Sequence, residues 1–416
     1  MTQSPDSTTT AVLVTSENRE ALAQNKPLFF RLLINILDRL NYGTLILILP
    51  DGQAVKFVSE HGQEQHATII VKDYTVARRV LMGGIIGFYK SYQADEWDSP
   101  DLAQALYVLA RNADDIQNTL LAHPAIRWAN KLAHAMNRNT KSGSRKNIMA
   151  HYDLGNSFYE KWLDPSMTYS SAYFDGSDGS LTDAQHKKYA SLANRINLQE
   201  SDSVLEIGSG WGGFAEYAAK EVGANVTGLT ISPAQYDYAQ ERMYRLGLNE
   251  KVQIRLQDYR DVEDTFDKVA SIEMFEAVGR EYWPAYFSKI NDCLVSGGKA
   301  GLQIITIADR FFDNYVRSTD FIQRYVFPGG MLPSPSVFSK HVEEAGLTLS
   351  STLSFGQDYA RTLSSWHDSF LNAWQDLQPM GFDQQFKKLW QFYLAYCEAG
   401  FRAETTDVKQ VTLMKT

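Results

Sequence analysis

The 416-residue sequence predicts an α/β fold built on a doubly wound, mostly parallel sheet, preceded by a smaller α+β domain. Three observations predict it. Val204 to Phe214, VLEIGSGWGGF, reads as a short buried strand running into a glycine turn and then a helix. Two further strand-like runs, Ala224 to Ser232 (ANVTGLTIS) and Val252 to Tyr259 (VQIRLQDY), continue an alternation of strands and helices that reaches about Ile307. The chain is also too long for one ordinary core, and its 44% hydrophobic content is enough to bury two.

Taken in order, residues 1–25 are rich in Ser, Thr and other polar residues without a sustained period, which predicts an unstructured tail. Residues 26–125 read as the small domain. Pro27 to Leu40 forms an apolar helical stretch, and Thr44 to Leu49 with Ala54 to Val58 forms two strands around Pro50, Asp51 and Gly52. Ala67 to Val71 supplies another strand, Thr75 to Met82 a helix stopped by Gly83 and Gly84, and Asp101 to Ala110 a closing helix with Ser99 as a cap. Residues 126–150 carry Arg127, Lys131, Arg138, Lys141, Arg145 and Lys146 and no acid. Ala129, Leu132, Ala133 and Met136 recur there at helical spacing, so the segment reads as a basic linker or an amphipathic helix suited to an anionic membrane surface. Residues 151–416 form the catalytic domain.

Composition narrows the function. A formal net charge of −9 argues against a general nucleic-acid binder, and two cysteines, Cys293 and Cys397, suggest no disulfide framework. No run reaches a spanning length, and the first residues lack a secretion layout, so a cytoplasmic protein meeting lipid from the water side is expected. The eight His residues have no zinc-type spacing, so no metal is expected.

Gly208, Gly210 and Gly212 let the backbone turn tightly and let a ligand lie against it, with the Glu206 carboxylate beside them. A dinucleotide site would usually place an acid about 20 residues further on. Here the second strand instead ends in Thr230 and Ser232, with Gln235 following, and the third ends in Gln257 and Asp258. Those strand ends resemble the S-adenosylmethionine (SAM) methyltransferases. All three glycines and Glu206 are therefore expected at the cofactor.

A narrower resemblance rests on HYDLGN (His151 to Asn156), MTYSSAYF (Met167 to Phe174), EIGSGWGG, LTISPAQ, LQDYRD, MFEAVG, YVFPGGMLPS and FGQDYARTLSSW, in that order. LPDG, GFYKSYQADEW and DSPDL extend it into the amino-terminal part. The chain thereby resembles the cyclopropane fatty acid synthase family of SAM-dependent lipid methyltransferases, with a small lipid-associated module in front. The resemblance places SAM against Tyr169, Ser170, Gly208, Gly210, Thr230, Gln235, Gln257 and Asp258. It implies methyl transfer to the double bond of an unsaturated acyl chain of a membrane phospholipid, peripheral association with the inner membrane face and, by analogy, a homodimer.

Methylating an alkene leaves a carbocation, which must be shielded, held electrostatically and deprotonated. Aromatic residues at Tyr282, Trp283, Tyr286, Phe287, Tyr325, Phe327, Trp366, Phe370 and Trp374 suit the first two tasks. Family members that close a cyclopropane ring hold a bicarbonate ion as the base, through a Cys, a Glu, a His and a Tyr. By the same resemblance Glu276 stands at the Glu and Tyr359 at the Tyr, while Ser171 replaces the Cys and Gln303 the His. Both substitutes offer donors to an anion, but Gln does not accept a proton near neutral pH. The expected product is therefore a cyclopropane or, if the proton leaves by another route, a methyl- or methylene-branched chain. Methylation of a small amine, or a non-catalytic lipid-binding relative, are the rival readings.

Overall fold

The structure is a computed structural model in which residues 11–15, 18–116 and 154–416 are described. The basic segment 126–150 and His151 lie outside them. The chain divides into two units, one holding residues 1–146 with Asp383–Ala403, the other residues 147–382 with 404–416.

The first unit carries a five-stranded sheet of β1 (Val12–Leu13), β2 (Tyr42–Ile48), β3 (Ala54–Val58), β4 (His61–Val71) and β5 (Trp97–Asp98), in the order β1-β3-β2-β4-β5. β2 and β3 form the expected hairpin, turned at Gly52 with φ +81°. Three expectations change here. Part of the predicted tail is ordered: Val12 and Leu13 pair in parallel with β3 and Arg19–Ala23 is helical, because an apolar run finds an open sheet edge. The helix expected to stop at Met82 runs from Thr75 to Gln93, kinking at Gly84 and resuming because Phe88, Tyr89 and Tyr92 bury one face. Asp101, not Ser99, caps the helix Leu102–Arg111, accepting from the Gln104 amide at 2.8 Å.

A fourth correction concerns the domain boundary. The helix Gln384–Arg402 belongs to this first unit although it lies far along the chain. Its Phe392 ring lies 5.2 Å from Tyr89 and 5.8 Å from Tyr92, and Lys388 donates to the Tyr92 carbonyl at 3.1 Å. Burial of that aromatic face assigns the helix.

The second unit carries β6 (Ser203–Ile207), β7 (Asn225–Thr230), β8 (Val252–Leu256), β9 (Phe266–Ile272), β10 (Leu294–Ile307), β11 (Leu347–Ser354) and β12 (Thr406–Lys415). Their order is β11-β12-β10-β9-β6-β7-β8. The run from β10 to β8 is parallel and β12 is antiparallel to both its neighbours, as the mostly parallel expectation required. Neighbouring residues of β6 point to opposite cores. Leu205 and Ile207 join Trp283, Phe287 and Val342, while Val204 joins Leu192, Phe214 and Met243. Both faces are therefore covered by helices, which keeps the parallel strands apolar. Strand order reverses between β6 and β9, and the crevice at their carboxyl ends is where such folds bind ligands.

Candidate active site

Two carboxylates flank that crevice: Glu206 at the end of β6 and Glu273 just beyond β9. The glycine turn follows Glu206. The Gly208 and Ser209 amides both donate to the Leu229 carbonyl, at 3.1 and 2.7 Å, folding the turn against β7. Gly210 has φ +53°, and a Cβ built on it meets nothing within 4 Å, so its backbone faces open space that a ligand could use. Glu206 is buried, and burial pushes its carboxyl up to about 8. Its Oε2 atom has no hydrogen-bond partner. An orphaned acceptor beside open backbone fits the cationic amino-acid end of SAM.

The three glycines do not share one role, and Gly212 departs from the cofactor role expected of it. Its amide donates to the Ser209 carbonyl at 2.8 Å, which closes the turn. A Cβ built on Gly212 would lie 3.0 Å from the Met243 side chain and 3.4 Å from the Ala239 methyl, both on the helix Pro233–Arg245. The bare backbone there lets two helices approach rather than a ligand. Gly210 alone of the three opens onto unfilled space, since Gly208 is crowded by Met274.

The other predicted cofactor residues follow the strand ends. Thr230 donates to Gln235 at 2.9 Å and accepts from the Ser232 amide at 3.1 Å, so hydroxyl and amide are held as one group at the end of β7. Gln257 donates to the Asp261 carbonyl at 3.0 Å. Asp258 is gripped by Arg260 through contacts of 2.9 and 2.6 Å, which hold its carboxyl below the usual range. Lone pairs remain for an adenine amine. Ser170 differs from these: its hydroxyl accepts from Lys188 at 2.6 Å. Lys188 is fully buried, and desolvation lowers its ammonium to about 7, opposed by Glu273, Asp164 and Glu206. Tyr169 packs in an aromatic cluster, 5.2 Å from Tyr159, 5.7 Å from Trp162 and 5.2 Å from Trp366.

HYDLGN and the glycine turn are tied together by Asn156, which accepts from the Trp211 indole at 2.8 Å and donates to the Ala234 carbonyl at 2.9 Å. FGQDYARTLSSW acts as a clamp on MTYSSAYF. The Asp358 carboxylate accepts from the Phe174 amide at 2.7 Å, and the Thr362 hydroxyl accepts from the Ala172 amide at 3.1 Å. Motifs far apart in the chain thus set one loop.

The residues expected to hold an anion converge, though not on Glu276. The Ser171 amide and the Gln303 side chain both donate to Glu273 Oε1, each at 2.8 Å, and the Tyr359 hydroxyl donates to Glu273 Oε2 at 2.6 Å. The Ser171 hydroxyl, expected to donate to the anion, instead donates to the Ala172 carbonyl at 2.9 Å. The Gln303 amide group, offered as a donor to a captured anion, here donates to Glu273 and is itself held by Gln410, its partner in the β10–β12 register, at 3.1 Å. Glu276 lies three residues on, in a 3-10 turn, where its Oε1 accepts from the Ile305 amide and its Oε2 has no partner. Burial first, and then the charge of Glu273, raise it to about 8.

Glu273 was the residue that motif reading missed. Its φ of +50° lies in the left-handed region, a conformation that costs a non-glycine residue about 1–3 kcal/mol and is enriched at functional sites. The signal was present in SIEMFEAVG: an acid ends the apolar run of β9 as Glu206 nearly ends β6. Around it, Trp366 lies 6.2 Å from Tyr359 and 5.9 Å from Trp162. Trp283, Tyr286 and Phe287, offered as candidates for holding a cation, are core residues of the sheet face opposite the glycine helix.

The chain is similar to known proteins along most of its length. Residues 139–411 match the family model described as mycolic acid cyclopropane synthetase. The tuberculostearic acid methyltransferase UfaA1 of Mycobacterium tuberculosis is 36% identical over 383 residues, covering 89% of this chain and 88% of that protein. The cyclopropane-fatty-acyl-phospholipid synthase of Escherichia coli is 34% identical over 351 residues, covering 84% and 88%. Among solved structures, mycolic acid cyclopropane synthase CmaA1, complexed with SAH and CTAB, is 28% identical with a TM-score of 0.61, covering 67% of this chain and 99% of that one.

Proposed function

Because the chain belongs to the mycolic acid cyclopropane synthetase family, and is on that ground a SAM-dependent methyltransferase of class I fold acting on lipid, we propose that its substrate is the double bond of an unsaturated acyl chain in a membrane phospholipid. One observation carries the reading. At the carboxyl ends of β6 and β9, open glycine backbone with a carboxyl group that has one oxygen unpartnered stands next to a carboxylate hydrogen-bonded at both oxygens, whose Tyr359 partner is packed against Trp366.

When bound, SAM supplies an electrophilic methyl group. The chain's own residues do the rest. Glu206 and the glycine turn hold the amino-acid end, Thr230 and Gln235 the ribose, and Gln257 and Asp258 the adenine edge. Tyr169, half-buried and backed by the fully buried Trp366, offers an aromatic face to exclude water and stabilise positive charge developing on the acyl chain.

Relatives named as a methyltransferase and as a cyclopropane synthase bracket the product, which is a branched chain or a ring according to which proton leaves. The Gln303 amide, in place of a basic imidazole, favours the branched outcome. Incubating purified protein with methyl-labelled SAM and monounsaturated phospholipid vesicles tests the reading. Label is expected in extracted phospholipid, and mass spectrometry with olefin-specific derivatisation is expected to find a branched or unsaturated product. Saturated ring-bearing lipid alone would refute the branch, and unlabelled lipid would refute the substrate.

Membrane access belongs to the same proposal. No helix among the described residues is long and apolar enough to cross a membrane, and the basic stretch 126–150 is the segment offered for docking on anionic lipid from the cytoplasmic side. Replacing its Lys and Arg residues by Gln is expected to weaken vesicle sedimentation with anionic lipid.

A further inference from the structure

Three donors from three distant parts of the chain meet on one side chain: the Ser171 amide, the Gln303 amide group and the Tyr359 hydroxyl all point at the Glu273 carboxylate. Such a set selects an anion, since each donor favours the ionised oxygen. It also leaves chemistry available. An ionised carboxylate offers about four lone-pair sites, of which these contacts use two on Oε1 and one on Oε2. One lone pair of Oε2 remains, next to the phenol of Tyr359.

Position adds to this. Glu273 ends β9 at the switch point opposite Glu206, and its neighbour Met274 packs so close to Gly208 that a Cβ there would lie 2.7 Å from the Met274 side chain. The residue that follows Glu273 in the chain thus packs against the turn proposed to bind the methyl donor. The two carboxyl groups of this stretch differ: burial raises Glu273 above the ordinary carboxylate range, an effect opposed by its three donors and by Lys188, whereas Glu276, raised to about 8, has only backbone amides to oppose its burial.

We propose that Glu273 is the catalytic base of the methylation, a carboxylate built into the chain where a captured anion would otherwise be needed. The inference rests on the acyl-methylation reading above. In the step it serves, the π pair of the alkene forms the bond to the incoming carbon, the carbon–sulfur pair stays on sulfur, and the neighbouring alkene carbon becomes cationic. A proton then passes from carbon to Glu273 Oε2, and the freed C–H pair closes either a ring bond or a new double bond. The acyl chain gains CH2, and the proton leaves the carboxyl group to water.

The test uses the full chain, methyl-labelled SAM and monounsaturated phosphatidylglycerol vesicles, with SAM affinity read separately by calorimetry. Glu273→Gln is expected to lower label transfer about 10²–10⁴-fold while SAM affinity holds. Glu273→Gly keeps the backbone, since glycine adopts φ +50° without strain, and opens a space for small anions. Formate or bicarbonate is expected to restore at least about 10-fold of its lost rate and to leave the wild type unchanged. A Glu273→Gln protein that methylates at the wild-type rate overturns the proposal. So does a wild type that stalls when bicarbonate is stripped, or a SAM-binding Glu273→Gly protein that no anion rescues. Wild-type protein that labels no lipid instead removes the acyl-methylation reading itself.

Discussion

The ends of β6 and β9 lie side by side and present opposite arrangements. At β6 a buried carboxylate has one oxygen without a partner and the next turn exposes bare glycine backbone. Just beyond β9 a half-buried carboxylate accepts from Ser171, Gln303 and Tyr359. The first arrangement leaves an acceptor for a ligand; the second already satisfies its charge. On the reading proposed above, binding and chemistry fall to neighbouring strand ends, each with its own carboxyl group.

The comparison breaks most readily at the incomplete end. Gly210→Val puts a branched side chain where φ is +53° and fills the open face, and calorimetry is expected to find SAM affinity reduced by at least about 100-fold. Tyr359→Phe cuts one donor from the complete end. Turnover is expected to fall about 10–100-fold with SAM affinity unchanged, the loss of one hydrogen bond to a charged group. A matching fall in affinity would mean that the two ends are not separate.

Smaller effects sharpen the division. Gln410→Ala removes the residue that orients Gln303, so a several-fold loss of turnover is expected, about that of one neutral hydrogen bond. Glu276→Gln tests the half-buried acid three residues beyond Glu273. Because the Glu276 pKa is raised to about 8, its stabilising contribution is present below the ordinary carboxyl range and is lost as pH rises through about 8. Melting curves are therefore expected to flatten in Glu276→Gln, by about 2–4 °C between pH of about 5.5 and 8.5. Glu206 has the same sign and Lys188 the opposite one, so the difference between mutant and wild type is the quantity to read.

What could be read from sequence follows the range of the forces involved. VLEIGSGWGGF declared itself because strand burial and glycine turns are local, and Thr230, Gln235, Gln257 and Asp258 followed as strand ends. The division of labour within that turn was not legible: Gly212 reads like Gly210 until Ala239 and Met243, from a later helix, are packed against it. Glu273 did not declare itself either. Its donors come from a loop at 171, a strand at 303 and a helix at 359: the β9–β10 register sets Gln303 beside it, and the hydrogen bonds of Asp358 and Thr362 to the 172–174 backbone tie the helix to the loop. The motif MFEAVG points to Glu276, and the Ser171 hydroxyl expected to face an anion is turned to the Ala172 carbonyl while the Ser171 amide faces Glu273. The helix Gln384–Arg402 was likewise assigned by position in the chain, whereas its buried aromatic face decides where it packs.

That returning helix has a practical consequence. The amino-terminal unit is not a contiguous cassette: one of its walls is encoded after nearly all of the transferase. A gene cut at residue 151 would still translate Phe386, Leu389, Trp390, Phe392 and Tyr393, now without Tyr89 and Tyr92 to cover Phe392. Such a truncated product should be oily and poorly behaved in solution, and swapping the small unit between homologues requires exchanging two separate stretches of gene together.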